Sequence, residues 1–150
     1  MTRVCIVGEA GAELRYELLS RETAREALAA YDLAEPFANT VAVDTISLGA
    51  AIALLNDLDW YLARFARDAL VLEPSISETE WLSRALASAV RDGAVDPAET
   101  GTALKVYGLV DGELVDPMYA RRRDGSLPEY DLRAVEDTVV IRIAGTEFGE

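Results

Sequence analysis

Three consecutive arginines form the densest positive charge in the sequence. Arg121, Arg122 and Arg123 follow Tyr119 in a chain whose only lysine is Lys105. Guanidinium groups bind phosphate or carboxylate through paired hydrogen bonds, so the cluster predicts a site for a small anion or a nucleotide phosphate. On a strand, Arg121 and Arg123 would share one face and Arg122 would point to the other. The alternative is a solvated strand end whose arginines pair with nearby carboxylates.

A second candidate surface combines aromatic rings with an arginine. Trp60 and Tyr61 lie beside an apolar stripe of the sequence, and Arg64 follows them within one helical turn. Tryptophan, tyrosine and arginine are enriched in protein contact surfaces. The three residues therefore predict a binding surface, with packing of the rings in the core as the alternative.

The absence of histidine and the single cysteine exclude several classes of site. Histidine-dependent nucleophiles, histidine general bases and histidine metal ligands are all excluded. Cys5 lies in an apolar run, which predicts a small buried side chain and not a reactive thiol. We therefore predict neither a metal site nor a cofactor.

Carboxylates are abundant, but their spacing matches no known catalytic or metal-binding motif. Asp57 and Asp59 would point about 200° apart on a helix, so they cannot share an ion. The loop at residues 8–11 lacks the lysine and hydroxyl residue of a phosphate-binding loop, and it predicts a plain turn. An enzyme that uses carboxylates and arginine alone stays open as a third alternative.

The charge balance is strongly acidic, with 27 Asp and Glu residues against 14 Lys and Arg residues and a net charge of −13. Such a surface repels itself and weakens the folded state, and molar salt shortens the Debye length to about 3 Å and screens that repulsion. We therefore predict a salt-adapted protein, with an acidic protein from a GC-rich genome as the alternative. The same charge makes nucleic-acid binding unfavourable.

The apolar pattern predicts one α+β domain over residues 1–150. Strands are predicted at residues 3–7, 40–43, 114–120 and 138–144, and a helix at residues 22–31 with Ser20 as its cap. Residues 13–19 suit either a strand or a helix. The sequence opens without a leader pattern and contains no apolar stretch of membrane-spanning length, so we expect a cytoplasmic protein.

Residues 47–72 predict one long helix, because apolar residues recur there at seven-residue spacing, with Ser47 or Asp44 as its cap. This stripe would pack on a sheet or form a dimer seam. A capping box at residues 77–80 predicts a second helix, and Asp96 followed by proline predicts a third that reaches about Tyr107. The expected fold is a small sheet packed against a long central helix and about three shorter helices.

Four segments carry a resemblance to a known family: LRYELLSRETAR at 14–25, VDTISLG at 43–49, NDLDWYL at 56–62 and EWLSR at 80–84. Through them the chain resembles a family of small haloarchaeal proteins of unknown function. The resemblance implies a cytoplasm rich in potassium chloride and supplies no catalytic residues.

The leading functional hypothesis is a non-catalytic binding or interaction protein that pairs with itself as a homodimer or with another protein. The alternatives are the anion binder that uses Arg121 to Arg123 and the histidine-free enzyme. Nucleic acid and membranes are not expected partners.

Overall fold

The computed structural model describes residues 1–122 and 137–147 of the chain. Its strands are β1 (Thr2–Gly8), β2 (Thr40–Thr45), β3 (Ala66–Leu72), β4 (Trp81–Ser83), β5 (Ala103–Val110), β6 (Glu113–Arg121) and β7 (Asp137–Ile143). Its helices are α1 (Leu14–Leu19), α2 (Glu22–Leu28), α3 (Leu48–Asp57), α4 (Asp59–Phe65) and α5 (Arg84–Arg91). No helix in these two ranges is long and apolar enough to cross a membrane.

The seven described strands form one mixed sheet in the order β2-β1-β3-β4-β7-β5-β6. Neighbouring strands are antiparallel except β4 and β7, which run parallel. The α+β class predicted from the sequence is therefore confirmed, although the sheet is larger than expected.

Apolar side chains cover both faces of the sheet. In β1, Val4 and Ile6 face the helices, and Cys5 and Val7 belong to a second apolar cluster on the other face. The fully buried ring of Tyr107 lies in that second cluster. Because both faces of the central strands are covered, these strands have near-continuous apolar sequences.

The sheet curls, so that elements far apart in the strand order come into contact. The backbone N–H of Ala38, in the segment before β2, donates to the carbonyl of Gly112, in the turn between β5 and β6, at 2.8 Å. These two segments flank the opposite edge strands of the sheet. Its concave face therefore encloses the second apolar cluster and brings β3 close to β5.

The predicted long helix at residues 47–72 is wrong. Ser47 caps α3 by accepting a hydrogen bond from the Ala50 N–H at 3.0 Å, but α3 ends at Asp57, and α4 follows after a turn at Leu58. Residues 66–72 form β3, a central strand between β1 and β4. A strand whose two faces are both buried lacks the alternation of apolar and polar residues that identifies strands. The seven-residue spacing of the helix therefore extended into β3 by chance.

The apolar stripe of α3 and α4 faces the chain's own core. Leu55 and Leu58 are fully buried and Leu62 is nearly so, as the helical pattern predicted. These side chains pack with β1 and β3 in the cluster between the helices and the sheet. The stripe is therefore not a dimer seam.

The helix predicted to follow residues 77–80 begins later than expected. The Ser77 hydroxyl accepts a hydrogen bond from the Glu80 N–H at 3.0 Å, yet the next residues form β4. The Glu80 carboxylate turns to arginine partners instead of closing a capping box. The helix α5 starts at Arg84, where Ser83 accepts from the Leu86 N–H at 3.2 Å.

The helix predicted from Asp96 to about Tyr107 is also wrong. Asp96 accepts from the Ala98 N–H at 2.9 Å and caps only a single 3₁₀ turn, Pro97–Glu99. Gly101 then adopts a φ of +98°, which breaks the helical path, and β5 begins at Ala103. The ambiguous residues 13–19 contain the helix α1, and the four predicted strands are present.

Candidate functional site

The helix α4 places Trp60 and Arg64 on the same side, one turn apart. The guanidinium carbon of Arg64 lies 3.8 Å from the centroid of the Trp60 ring, which is a stacked cation–π contact. Arg64 Nη1 also donates to the Trp60 carbonyl at 3.1 Å. The Trp60 residue remains 49% exposed, so this stack faces solvent.

A second arginine reaches the same rings from the beginning of α2. The guanidinium carbon of Arg21 lies 4.8 Å from the Phe65 ring centroid and 5.9 Å from that of Trp60. Glu17 pairs with Arg21 at 2.7 Å and fixes its position. We call Arg21, Trp60, Arg64 and Phe65 the aromatic–arginine surface.

Tyr61, the third aromatic-patch residue predicted from the sequence, supports this surface from beneath. Tyr61 is only 8% exposed, and its ring meets Trp60 edge to face at a centroid distance of 5.0 Å. The tyrosine therefore belongs to the core and limits the orientations open to Trp60.

Two members of the arginine cluster, Arg121 and Arg122, lie among the described residues. Arg121 ends β6, where Tyr119 is 47% exposed, and Arg123 lies outside the described residues. The Arg122 side chain is bound internally: Nη2 donates to Glu80 Oε2 at 2.5 Å and Nη1 to the Gly101 carbonyl at 3.1 Å. An anion site at Arg121 and Arg123 stays a prediction.

The partners of Arg122 form a compact ionic cluster. Arg142 Nε donates to Glu80 Oε1 at 2.8 Å, and Arg142 Nη1 donates to the Thr100 hydroxyl at 3.0 Å. Burial alone would raise the pKa of Glu80, but the hydrogen bonds from Arg122 and Arg142 hold it below its usual value. The cluster fastens the end of β6 to β7 and to the segment before β4.

A second ionic cluster lies on the concave side of the sheet and was not found from the sequence. Lys105 Nζ lies 2.8 Å from Asp68 Oδ2, and the Tyr107 hydroxyl donates to the same oxygen at 3.0 Å. Lys105 and Tyr107 are two residues apart on β5, so their side chains lie on the same face of the strand. The curl of the sheet brings that face close to β3.

The electrostatics of this cluster favour a fixed ion pair. Burial would lower the pKa of Lys105, but the hydrogen bond and charge of Asp68 raise it above its usual value. Burial, with the charge of Asp68, raises the pKa of Tyr107 to about 12. Lysine stays protonated and tyrosine neutral near pH 7, so neither supplies a base or a nucleophile there.

The remaining reactive side chain is the cysteine. Cys5 is fully buried in β1, and burial raises the pKa of its thiol to about 12. The prediction of a small buried side chain at Cys5 is confirmed. Within the described ranges, no three carboxylate or thiol groups come together as a set of metal ligands.

Two of the concave regions of the described structure are large enough to hold a ligand. A groove of about 890 Å³ runs beside α1, where Asn39 holds the loop by accepting from the Leu14 N–H and donating to the Ala12 carbonyl. A cavity of about 400 Å³ lies where α4, β3 and the start of α5 meet, with Asp68 in its wall. The ionic cluster of Asp68 and Lys105 therefore borders a space that can admit a ligand.

The model of DUF5804, a family of unknown function, matches residues 2–109. The chain belongs to the DUF5804 family. A family of unknown function was predicted from the sequence, and the haloarchaeal setting of that prediction is a separate proposal. No curated protein and no solved structure matches the chain.

The extent of the DUF5804 match divides the candidate sites. It includes the whole aromatic–arginine surface, together with Asp68, Lys105 and Tyr107. It ends before β6 and β7, which carry Arg121 and Arg142. The aromatic–arginine surface and the Asp68 cavity therefore lie mainly in the part that DUF5804 defines.

Proposed function

We propose that this DUF5804 member is a non-catalytic interaction protein that binds an acidic segment of a partner protein through the aromatic–arginine surface. The observation that carries the proposal is the stacking of Arg64 on the exposed ring of Trp60 in a chain with a net charge of −13. A positive charge that rests on an exposed aromatic ring is suited to bind a partner that carries carboxylates.

Arg64 retains unused hydrogen-bonding capacity. In the described ranges, 1–122 and 137–147, its side chain donates only to the Trp60 carbonyl, and no carboxylate pairs with it. The guanidinium held 3.8 Å from the Trp60 ring centroid therefore keeps N–H groups that can hold a carboxylate in hydrogen bonds. Covering the ring at the same time would strengthen that pairing by excluding water.

The composition of the surface supports a protein partner. Tryptophan and arginine dominate the residues that contribute most to binding between proteins. A partner that covers Trp60 would remove from water an aromatic ring that the folded chain leaves half exposed. Nucleic acid is disfavoured because the net charge repels phosphates.

Salt adaptation belongs to the same proposal. The −13 charge would repel an acidic partner over long distances in dilute buffer. At about 0.15 M salt the Debye length is about 8 Å, so contacts at the surface outweigh distant carboxylates. A cytoplasm of high ionic strength would therefore allow two acidic proteins to meet through a local basic patch.

A second copy of this chain is one partner of the required chemistry, since its acidic residues outnumber its basic residues. Sedimentation equilibrium in about 0.15 M and about 1 M potassium chloride would measure such self-association. A homodimer that dissociates on Arg64→Gln would identify the partner, whereas a monomer would direct the search to other acidic proteins.

Trp60 fluorescence provides the direct test, because Trp81, the other tryptophan, is only 8% exposed. The probe is a peptide of alternating glutamate and leucine, and the matched control peptide has glutamine in place of glutamate. We expect saturable binding of the acidic peptide that Arg64→Gln weakens at least about tenfold. Arg25→Gln, an exposed arginine of α2, is the control variant.

Equal binding of the two peptides, or equal binding by the Arg64→Gln and Arg25→Gln proteins, would show that the surface does not recognise carboxylates. Circular dichroism of each variant separates lost recognition from lost folding. The enzyme hypothesis ranks lower because the partly buried carboxylates of Asp68 and Glu80 are both held by cationic side chains.

A further inference from the structure

The cavity beside Asp68 suggests a second binding site that is separate from the aromatic–arginine surface. We propose that it binds a small molecule with one ammonium and one carboxylate group, of the class of free amino acids. Its volume of about 400 Å³ falls within the range of about 300–1000 Å³ typical of small-molecule sites. We call this space the Asp68 cavity.

Arg67 is the cationic side of the site. Among the described residues, its one ion pair is with the fully exposed Asp116 at 4.0 Å, the limit for such a contact. The guanidinium lies over the ring of Tyr107, at 5.3 Å from its centroid, and the side chain is about one third exposed. The ring restricts Arg67 at the cavity wall, where a ligand carboxylate can replace the distant Asp116.

Glu147 is the anionic side of the site. Its Oε2 accepts hydrogen bonds from the Ser83 hydroxyl at 2.8 Å and from the Ala144 N–H at 2.6 Å. Its Oε1 has no partner among residues 1–122 and 137–147. One oxygen thus fixes the carboxylate and leaves the other to accept a hydrogen bond from a ligand ammonium.

The other polar groups in the wall are held by neighbours. Arg84 Nη1 binds Asp59 at 2.8 Å, and Arg84 Nη2 binds Asn56 at 3.0 Å. Asp68 is held by Lys105 and Tyr107. Because these groups are already in place, a ligand would not have to order them, which lowers the free-energy cost of binding.

The charge balance selects the class of ligand. Arg67 and Arg84 line the cavity together with Asp59, Asp68 and Glu147, and Lys105 neutralises Asp68. The site is therefore close to neutral overall, so a ligand with a net charge would leave one charge without a partner in a partly desolvated space. A molecule with both charges pairs Arg67 and Glu147 at once.

Isothermal titration calorimetry in about 0.15 M potassium chloride tests the proposal with each standard L-amino acid, and with acetate and methylammonium as ligands of a single charge. We expect saturable heat from at least one amino acid at concentrations up to about 10 mM, and weaker heat from both single-charge ions. Arg67→Gln should weaken the bound amino acid at least about tenfold.

Two further variants make the test specific. Ala63→Phe would fill the cavity from α4 and should abolish binding, whereas Arg25→Gln, which lies outside its wall, should leave binding unchanged. Circular dichroism confirms that each variant is folded. Absence of saturable heat from every amino acid, acetate binding as tight as the amino acid, or binding that survives Arg67→Gln and Ala63→Phe would each overturn the proposal.

Discussion

The ion pair of Lys105 and Asp68 gives the sharpest test of how the curled sheet is held together. The two side chains come from β5 and β3, which are separated by β4 and β7 in the sheet, and they are 18% and 16% exposed. Lys105→Met removes the charge but keeps most of the length of the side chain. The variant leaves a carboxylate that is mostly withdrawn from water and has lost its cation.

The expected cost follows from this burial. Removing one partner of a fully buried ion pair costs about 3–5 kcal/mol, and a surface pair contributes about 0.2–1 kcal/mol. In the variant, Asp68 keeps the hydrogen bond from Tyr107 and some access to water. The stability lost should therefore be smaller than for a fully buried ion pair. We therefore expect Lys105→Met to lower the free energy of unfolding by about 2–3 kcal/mol.

Urea denaturation followed by circular dichroism measures this cost, and Arg3→Met supplies the matched control. Arg3 pairs with Asp44 on neighbouring strands, but both side chains are nearly half exposed. A double-mutant cycle of Lys105→Met and Asp68→Leu should give a coupling energy of at least about 1 kcal/mol between these two side chains. If Lys105→Met costs no more than Arg3→Met, the contact across the curled sheet does not contribute to stability.

Three other expectations follow from the same contacts. The pKa of Tyr107 is raised from about 10 to about 12 in the folded state, so its contribution to stability is complete below about pH 10 and is lost towards pH 12. The pKa of Lys105 is raised as well, which acts in the same direction. The loss of stability with rising pH should therefore be less steep in Tyr107→Phe. Gly101→Ala should cost about 1–3 kcal/mol and more than Gly93→Ala in urea denaturation. Both glycines have positive φ, but only at Gly101 would the new Cβ meet a guanidinium, at 2.9 Å from Arg122 Nη1. The melting temperature should rise between about 0.1 M and about 2 M potassium chloride because salt screens the net charge, and an unchanged temperature would refute salt adaptation.

Local signals in the sequence predicted the elements that depend on near neighbours. The alternation of residues 138–144 predicted β7, and Ser47 was one of the two predicted caps at the beginning of α3. The strand β3 was missed because both its faces are buried, and a run buried on both faces resembles a helix that packs on all sides. Short-range patterns thus identified β7 and the beginning of α3 but misassigned β3.

The capping signals failed where side chains found distant partners. Glu80 was expected to complete a capping box, but its carboxylate binds Arg122 and Arg142. These arginines lie 42 and 62 residues later in the sequence. The hydrogen bonds from two guanidinium groups outweigh one to a backbone N–H, so β4 forms where a helix was predicted. No pattern within a few residues of Glu80 contains that information.

The contacts of the candidate sites likewise include local ones, which the sequence could predict, and long-range ones, which it could not. Trp60 and Arg64 are one turn apart, so their contact was within reach of the sequence. Phe65 meets Trp60 within α4, but Arg21 joins these rings only because the beginning of α2 packs near the end of α4. The Asp68 and Lys105 pair depends on the curl of the whole sheet, for which the sequence has no local signal.

The proposed sites share one physical feature, an arginine placed over an aromatic ring and lacking a close carboxylate partner among the described residues. Arg64 stacks on Trp60, and Arg67 lies over Tyr107 with only the exposed Asp116 at 4.0 Å. In a chain with 27 acidic and 14 basic residues, carboxylates are abundant enough to neutralise every cation. Both proposals rest on this feature, because an arginine held by a ring keeps N–H groups for an external carboxylate, proposed to come from a protein at Trp60 and from a small molecule beside Asp68.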